Sequence, residues 1–173
     1  MGGDDKLSEN INVCYQIGHF FNVSDSVIQE GLQGYQSASH RMTKSVVRGV
    51  TILDDSYNAN PSGVEYALQY LRRFKGRKIL VLGSMLELGQ HSEIEHQNIV
   101  SLAVNEEVDI IFLYGEETKK MTSDTISLSY FEEKSQLKEV LLAECKEGDV
   151  VLVKGSRSLR MEEIVEHLHH ALS

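Results

Sequence analysis

The sequence predicts an α/β protein: a Rossmann-like, largely parallel sheet with helices on both faces, preceded by a short helical pair. Three observations carry that prediction. From residue 42 onward, short β-branched runs alternate with segments of helical periodicity, the pattern of βαβ units. The apolar runs are strand-sized, as in Lys78-Ile79-Leu80-Val81-Leu82 and Val108-Asp109-Ile110-Ile111-Phe112-Leu113. Several strands also run out into loops rich in Gly, Ser, Asp and Asn, the composition of strand ends that bind ligands in open parallel sheets.

Taken in order, Leu7 to Phe21 reads as a helix with Ile11, Cys14, Tyr15, Ile17 and Gly18 on one side. A second helix follows, with Ser24 as N-cap and Val27, Ile28 and Leu32 as its apolar face, and Gly31 and Gly34 weaken its end. Gln36-Ser37-Ala38-Ser39-His40 is small and polar and reads as a linker. Domain boundaries are therefore expected at 1–39, a helical tail, and 40–173, a domain in its own right. Within the latter, Met42 to Val47 and Val50 to Leu53 are strands joined at Arg48-Gly49. Pro61 suits a first helical turn, and a helix runs on to Phe74. Next come a strand at Lys78 to Leu82, a helix from Ser92 to Val104, a strand from Val108 to Tyr114 and a short helix from Glu117 to Met121. Thr125 to Tyr130 is a weaker strand, Lys134 to Cys145 a helix, Asp149 to Val153 a strand and Met161 to Leu172 the last helix.

Composition narrows the function. A chain of 173 residues with 41% hydrophobic composition can bury a core, and it has neither a membrane-length apolar run nor a leader pattern, so a cytoplasmic setting is expected. A net charge of −9 disfavours nucleic-acid backbones while leaving room for a single anionic ligand at a local basic site. Cys14 and Cys145 lie far apart without metal-ligand spacing and are expected to be buried and passive. Neither His91 with His96 nor His167 with His169 and His170 has the spacing of a zinc site, so no metal site is expected from them.

Three loops should open on one edge of the sheet and converge. One is Asp54-Asp55-Ser56-Tyr57-Asn58-Ala59-Asn60-Pro61, in which two carboxylates, a hydroxyl, a phenol and two amides suit a ribose, a phosphate assembly or a peptide, or equally a helix cap. The second is Gly83-Ser84-Met85-Leu86-Glu87-Leu88-Gly89. The third is Lys154-Gly155-Ser156-Arg157-Ser158, where Gly155 permits close backbone approach and Lys154, Ser156 and Arg157 can bind a carboxylate or phosphate. The chain contains no GxxxxGK[ST] phosphate loop, no GxGxxG after a strand and no nucleophile elbow.

Together the strings Asp55-Ser56-Tyr57-Asn58-Ala59-Asn60-Pro61, Val81-Leu82-Gly83-Ser84-Met85-Leu86-Glu87-Leu88-Gly89, Val151-Leu152-Val153-Lys154-Gly155-Ser156-Arg157 and Met161-Glu162 closely resemble the C-terminal domain of the Mur ligase family. Within it they are similar to the branch that adds D-alanyl-D-alanine to UDP-N-acetylmuramoyl-tripeptide. The resemblance implies a three-domain ATP- and Mg²⁺-dependent ligase, with this chain as the last domain and the helical tail of the central ATPase domain, inactive by itself. The implied substrates are those two peptides, and the implied state is a monomer. By the same resemblance Arg41 approaches the ATP phosphates as the catalytic residue, Asp55 the ribose, and Asn10 and Asn58 the nucleotide. Tyr57 and Asn60 line the cleft, and Lys154, Ser156 and Arg157 face the peptide substrates; ATP and Mg²⁺ are bound mainly by the central domain, and none of these residues is a metal ligand. Leu7 stands where the family usually carries a companion asparagine, and Ser84 where it carries aspartate. The alternatives are another Mur ligase C-terminal domain, in which a histidine-containing loop usually replaces Tyr57-Asn58-Ala59-Asn60, and a non-enzymatic Rossmann-like nucleotide-binding module.

Overall fold

Arg48 and Gly49 have φ values of 45° and 76°, the pair of positive values that a two-residue hairpin turn requires. They join β1 (Thr43–Val47) to β2 (Val50–Asp55) in antiparallel register, Val47 opposite Val50. The remaining strands are β3 (Lys78–Gly83), β4 (Ile110–Tyr114), β5 (Ser127–Phe131) and β6 (Val150–Lys154). The sheet runs β1-β2-β6-β3-β4-β5, and every neighbouring pair beyond the hairpin is parallel. The last strand is thus inserted between β2 and β3, so their carboxyl ends lie side by side.

The computed structural model describes residues 3–33 and 40–173. They fall into two units, Met1–Ala38 and Ser39–Ser173. The expected linker at 36–40 lies outside the described residues except for His40. In the first unit, α1 (Gly3–Phe20) and α2 (Asp25–Gln33) meet at Gly18, where a Cβ would lie 2.4 Å from the Cδ1 of buried Ile28. In the second, α3 (Pro61–Leu71), α4 (Ser92–Asn105), α5 (Lys134–Glu144) and α6 (Glu162–Leu172) cover the sheet.

Strand alternation sorts the core into two layers. Leu53, Leu80, Leu82, Ile111, Leu113 and Leu152 pack with Val64, Leu68 and Leu71 of α3 and Ile99 of α4. On the opposite face Ile52, Ile79, Val81, Phe112, Val151 and Val153 pack with Leu137 and Leu141 of α5 and Ile164 and Leu168 of α6. Both faces of the central strands are apolar, the condition for a parallel sheet wound on two sides.

The structure differs from the expected boundaries at several element ends. The Asp109 carboxylate accepts from the Lys78 N–H at 2.7 Å, and the β3–β4 ladder proper begins at Ile110. Helix α3 stops at Leu71, with Arg73 and Phe74 in tighter turns ahead of Gly76, whose φ is 103° and whose Cβ would lie 2.1 Å from the Gly148 carbonyl. The expected helix at 117–121 is a single 3₁₀ turn, Glu116–Thr118.

Cys14 is exposed, which corrects the expectation that both cysteines are buried. Among the described residues of its unit, its helix packs against one other helix, too little to cover all of its sides. Cys145 is half-buried, and burial pushes its thiol up to about 12. Because the thiolate is the nucleophile, iodoacetamide at pH 8 should alkylate Cys14 of the 173-residue chain well before Cys145. Equal rates, read by peptide mass spectrometry, would contradict this assignment.

Candidate active-site crest

Asp55 and Lys154 are register partners on the parallel pair β2–β6. Both are the last residues of their strands. Lys154 Nζ lies 2.5 Å from Asp55 Oδ2 and donates to the Asn58 carbonyl at 2.9 Å. Their side chains are only 6% and 16% exposed. Burial raises the Asp55 carboxyl above its ordinary pKa, although Lys154 and the Met42 N–H both pull the other way. Desolvation outweighing attraction is the expected behaviour of a buried pair.

Around this pair the loops are stitched together. The Ser56 N–H and hydroxyl donate to Asp54 Oδ1 at 3.1 and 2.6 Å, turning the chain at the end of β2. Asn60 caps α3, its Oδ1 accepting from the Gly63 N–H at 2.7 Å, with Pro61 in the first turn. From β6, the Ser156 N–H donates to the Ser84 carbonyl, while the Ser156 hydroxyl accepts from the Leu86 N–H at 2.9 Å. Ser84 in turn accepts from the Glu117 N–H. The loop after β3 is held from below by buried His96: its Nε2 accepts from the Met85 N–H at 2.9 Å, and its Nδ1 donates to the Ser92 carbonyl at 2.7 Å. Gly155 allows β6 to pass β3 closely, since a Cβ there would sit 2.5 Å from Met161 Cγ and 3.1 Å from Gly83 Cα.

Three side chains stand out of this crest. Tyr57 is 41% exposed. The Arg41 guanidinium carbon lies 4.3 Å from its ring centroid and that of Arg157 5.8 Å, within cation–π range. Arg157 is further anchored by Glu162 at 2.7 Å. Two exposed guanidinium groups around one phenol form a surface suited to phosphate or carboxylate. Among the described residues no group of three or more His, Cys, Asp or Glu side chains is placed to hold a metal ion.

Residues 40–157 match the family model described as Mur ligase, glutamate ligase domain. The chain belongs to the Mur ligase family. Among curated Mur ligases, it is 30% identical over 170 residues to the UDP-N-acetylmuramoyl-tripeptide–D-alanyl-D-alanine ligase of Bacillus subtilis, covering 92% of this chain and 37% of the relative. The enzyme of the same name from Buchnera aphidicola is 37% identical over 144 residues, covering 82% and 32%. Among solved structures, the MurF ligase of Thermotoga maritima in complex with ADP superposes with a TM-score of 0.74 at 28% identity, covering 90% of this chain and 36% of that one. MurF from Acinetobacter baumannii gives a TM-score of 0.79 at 25% identity, covering 96% and 38%. The chain thus spans about a third of the length of the curated relatives it matches.

The site residues expected from Mur ligase motifs divide into two sets. Arg41, Tyr57, Asn58 and Arg157 are exposed on the crest. Lys154 and Ser156, expected to face substrate, are buried, Lys154 engaged with Asp55 and the Asn58 carbonyl and Ser156 with the Leu86 N–H. Asp55 is mostly buried between Lys154 and the Met42 N–H, and Asn60 is engaged as a helix cap. Asn10 is exposed on α1, in the other unit, outside the segment that matches the Mur ligase model. Sequence reading weighed His96 only as a metal ligand and missed its bonds beneath the loop after β3, and it missed the bond between His40 Nδ1 and Asp54 Oδ2 at 2.6 Å. Only the aspartate-rich composition of the β2 end pointed toward the latter.

Breaking the buried pair should be costly from either side. Asp55→Asn and Lys154→Met should each lower unfolding free energy by about 3 kcal/mol, and the double variant should lose less than the sum by at least about 1 kcal/mol. Since burial holds the folded Asp55 pKa above its unfolded value, protonation favours the fold. Lys154→Met should therefore regain stability relative to wild type as the pH is lowered from 7 toward 5. Urea titrations that give additive losses, or no pH-dependent recovery, would remove the pair from this role.

Proposed function

We propose that this chain is the C-terminal domain, residues 40–173, and the helical tail of the central ATPase domain, residues 1–39, of an ATP-dependent peptide ligase. That enzyme joins D-alanyl-D-alanine to UDP-N-acetylmuramoyl-tripeptide in peptidoglycan synthesis, in the cytoplasm and as a monomer. The observation that carries the reading is the crest itself. Loops from β2, β3 and β6 are locked together beneath two arginines gathered on Tyr57, in a family whose matched relatives are named for this reaction.

In the proposed reaction a phosphoryl group passes from ATP to the terminal carboxylate of the tripeptide, and the amine of D-alanyl-D-alanine displaces phosphate from the resulting acyl phosphate, losing a proton as the amide forms. The transferring group carries dispersed negative charge, so positioned cations stabilise it most where that charge grows. Arg41 supplies such a cation at the phosphates, and Arg157 and Tyr57 present the face toward the peptides. Asp55 and Asn58 serve the ribose side, and Asn10 the adenine side. Lys154, Ser156 and Asn60 act from beneath by holding those loops in place. Mg²⁺ falls to residues of the enzyme other than those described, and closure of this domain keeps water from the acyl phosphate.

The 173-residue chain alone should neither hydrolyse ATP nor ligate D-alanyl-D-alanine, since it contains no phosphate loop. Turnover by the pure chain would overturn the division of labour. In the full-length enzyme, Arg41→Lys should lower kcat at saturating ATP about tenfold or more, because an ammonium cannot reproduce the planar fork. A full-rate variant with unchanged unfolding temperature would take Arg41 off the phosphoryl path.

A further inference from the structure

Arg41 sits between two residues in the left-handed region. His40 has φ of 63° and Met42 φ of 52°, a conformation costly for side chains other than glycine and held only where surroundings enforce it. The enforcement is visible on both flanks. On one, His40 Nδ1 bonds Asp54 Oδ2 at 2.6 Å, with the carboxylate 11% and the imidazole 33% exposed. On the other, the Met42 N–H donates to Asp55 Oδ1 at 3.0 Å while its side chain packs against the core. The His40 carbonyl also accepts from the Tyr57 N–H at 3.0 Å, and the Tyr57 ring carries the Arg41 guanidinium at 4.3 Å. Chain, carboxylate and ring close into one unit, with Asp54 as the shared acceptor. The same Asp54 that takes His40 also takes the Ser56 N–H and hydroxyl, so one carboxylate fixes the backbone on both sides of the Arg41–Tyr57 contact.

We infer that His40 and Asp54 are positioning residues: the imidazole–carboxylate latch holds His40 and Met42 in the left-handed region on either side of Arg41 and so sets where the Arg41 guanidinium stands. The inference rests on the role proposed for Arg41. It assigns a function to a histidine that lies in a segment whose composition reads as linker. A competing structural account is that His40 merely tolerates its φ, and the two accounts part at the choice of substitution. Glycine adopts φ near 60° without strain but loses the latch. Asparagine tolerates the same φ and carries its amide nitrogen at the position of the imidazole Nδ1, two bonds beyond Cβ, so it can still donate to Asp54.

The first measurement is amide hydrogen exchange of the 173-residue chain. His40→Gly should raise the exchange rates of the Met42 and Tyr57 N–H groups about tenfold or more, with amides in β3 and β6 unchanged, and His40→Asn should leave all four near wild type. The second is steady-state kinetics of the full-length enzyme with ATP, UDP-N-acetylmuramoyl-tripeptide and D-alanyl-D-alanine. His40→Gly should lower kcat about fivefold or more with KM for ATP changed less than twofold, and His40→Asn should restore most of kcat. Wild-type exchange in His40→Gly, or an asparagine variant as impaired as the glycine one, overturns the latch. If the wild-type enzyme fails to ligate these substrates, the proposed function falls, and the exchange measurement still decides whether His40 holds the segment.

Discussion

A buried ammonium and a buried carboxylate at the carboxyl ends of adjacent parallel strands constrain everything above them. Parallel register brings Lys154 level with Asp55, and neither charge can be accommodated there without the other. Lys154 also donates to the Asn58 carbonyl, and the second oxygen of Asp55 accepts from the Met42 N–H. The pair therefore reaches outward in both directions, into the loop that presents Tyr57 and into the segment that presents Arg41. Its net contribution to stability is modest by comparison with its control over geometry, because desolvation of Asp55 opposes the attraction.

Close packing of backbone makes that control possible. Met161 is fully buried against Gly83 and Gly155, so the ends of β3 and β6 approach without side chains between them. Hydroxyl groups then complete the joints: Ser156 to the loop after β3, and Ser84 to the turn after β4. Short polar side chains suit this task because they satisfy a backbone N–H without demanding volume. Support of this kind positions the exposed arginines above it, as the phosphoryl-transfer role proposed for Arg41 requires.

The crest also separates support from contact. Arg41 and Arg157 approach the Tyr57 ring, and Arg157 is braced by Glu162 at the start of α6. Beneath them, Lys154, Ser156, Asp54 and His96 are buried and committed to partners. A motif read as a row of ligand contacts is thus, in three dimensions, a few exposed side chains standing on a larger number of buried ones.

The sequence by itself determined the alternation of strands and helices, the two-sided sheet and the strand ends at which a site would form. Those follow from local periodicity, from Pro61 at a helix start and from glycines at turns, all of which act within a few residues. The strand-end loops placed Tyr57 and Arg157 on one edge of the sheet in expectation, and the sheet order does bring those loops together; the contact of Arg41 with the same ring is seen only in the structure. Only the tertiary structure decided which polar residues of those loops turn inward. Lys154 meets Asp55 across 99 residues, Ser156 meets Leu86 across 70, and His40 meets Asp54 across 14. Each choice depends on strand register and on the volume left by glycines on a neighbouring strand, and neither is encoded in the residues flanking the side chain itself. A lysine at the end of an apolar strand reads the same in sequence whether it greets solvent or a buried carboxylate. What separates the two outcomes is that β6 is inserted between β2 and β3, with water excluded on either side.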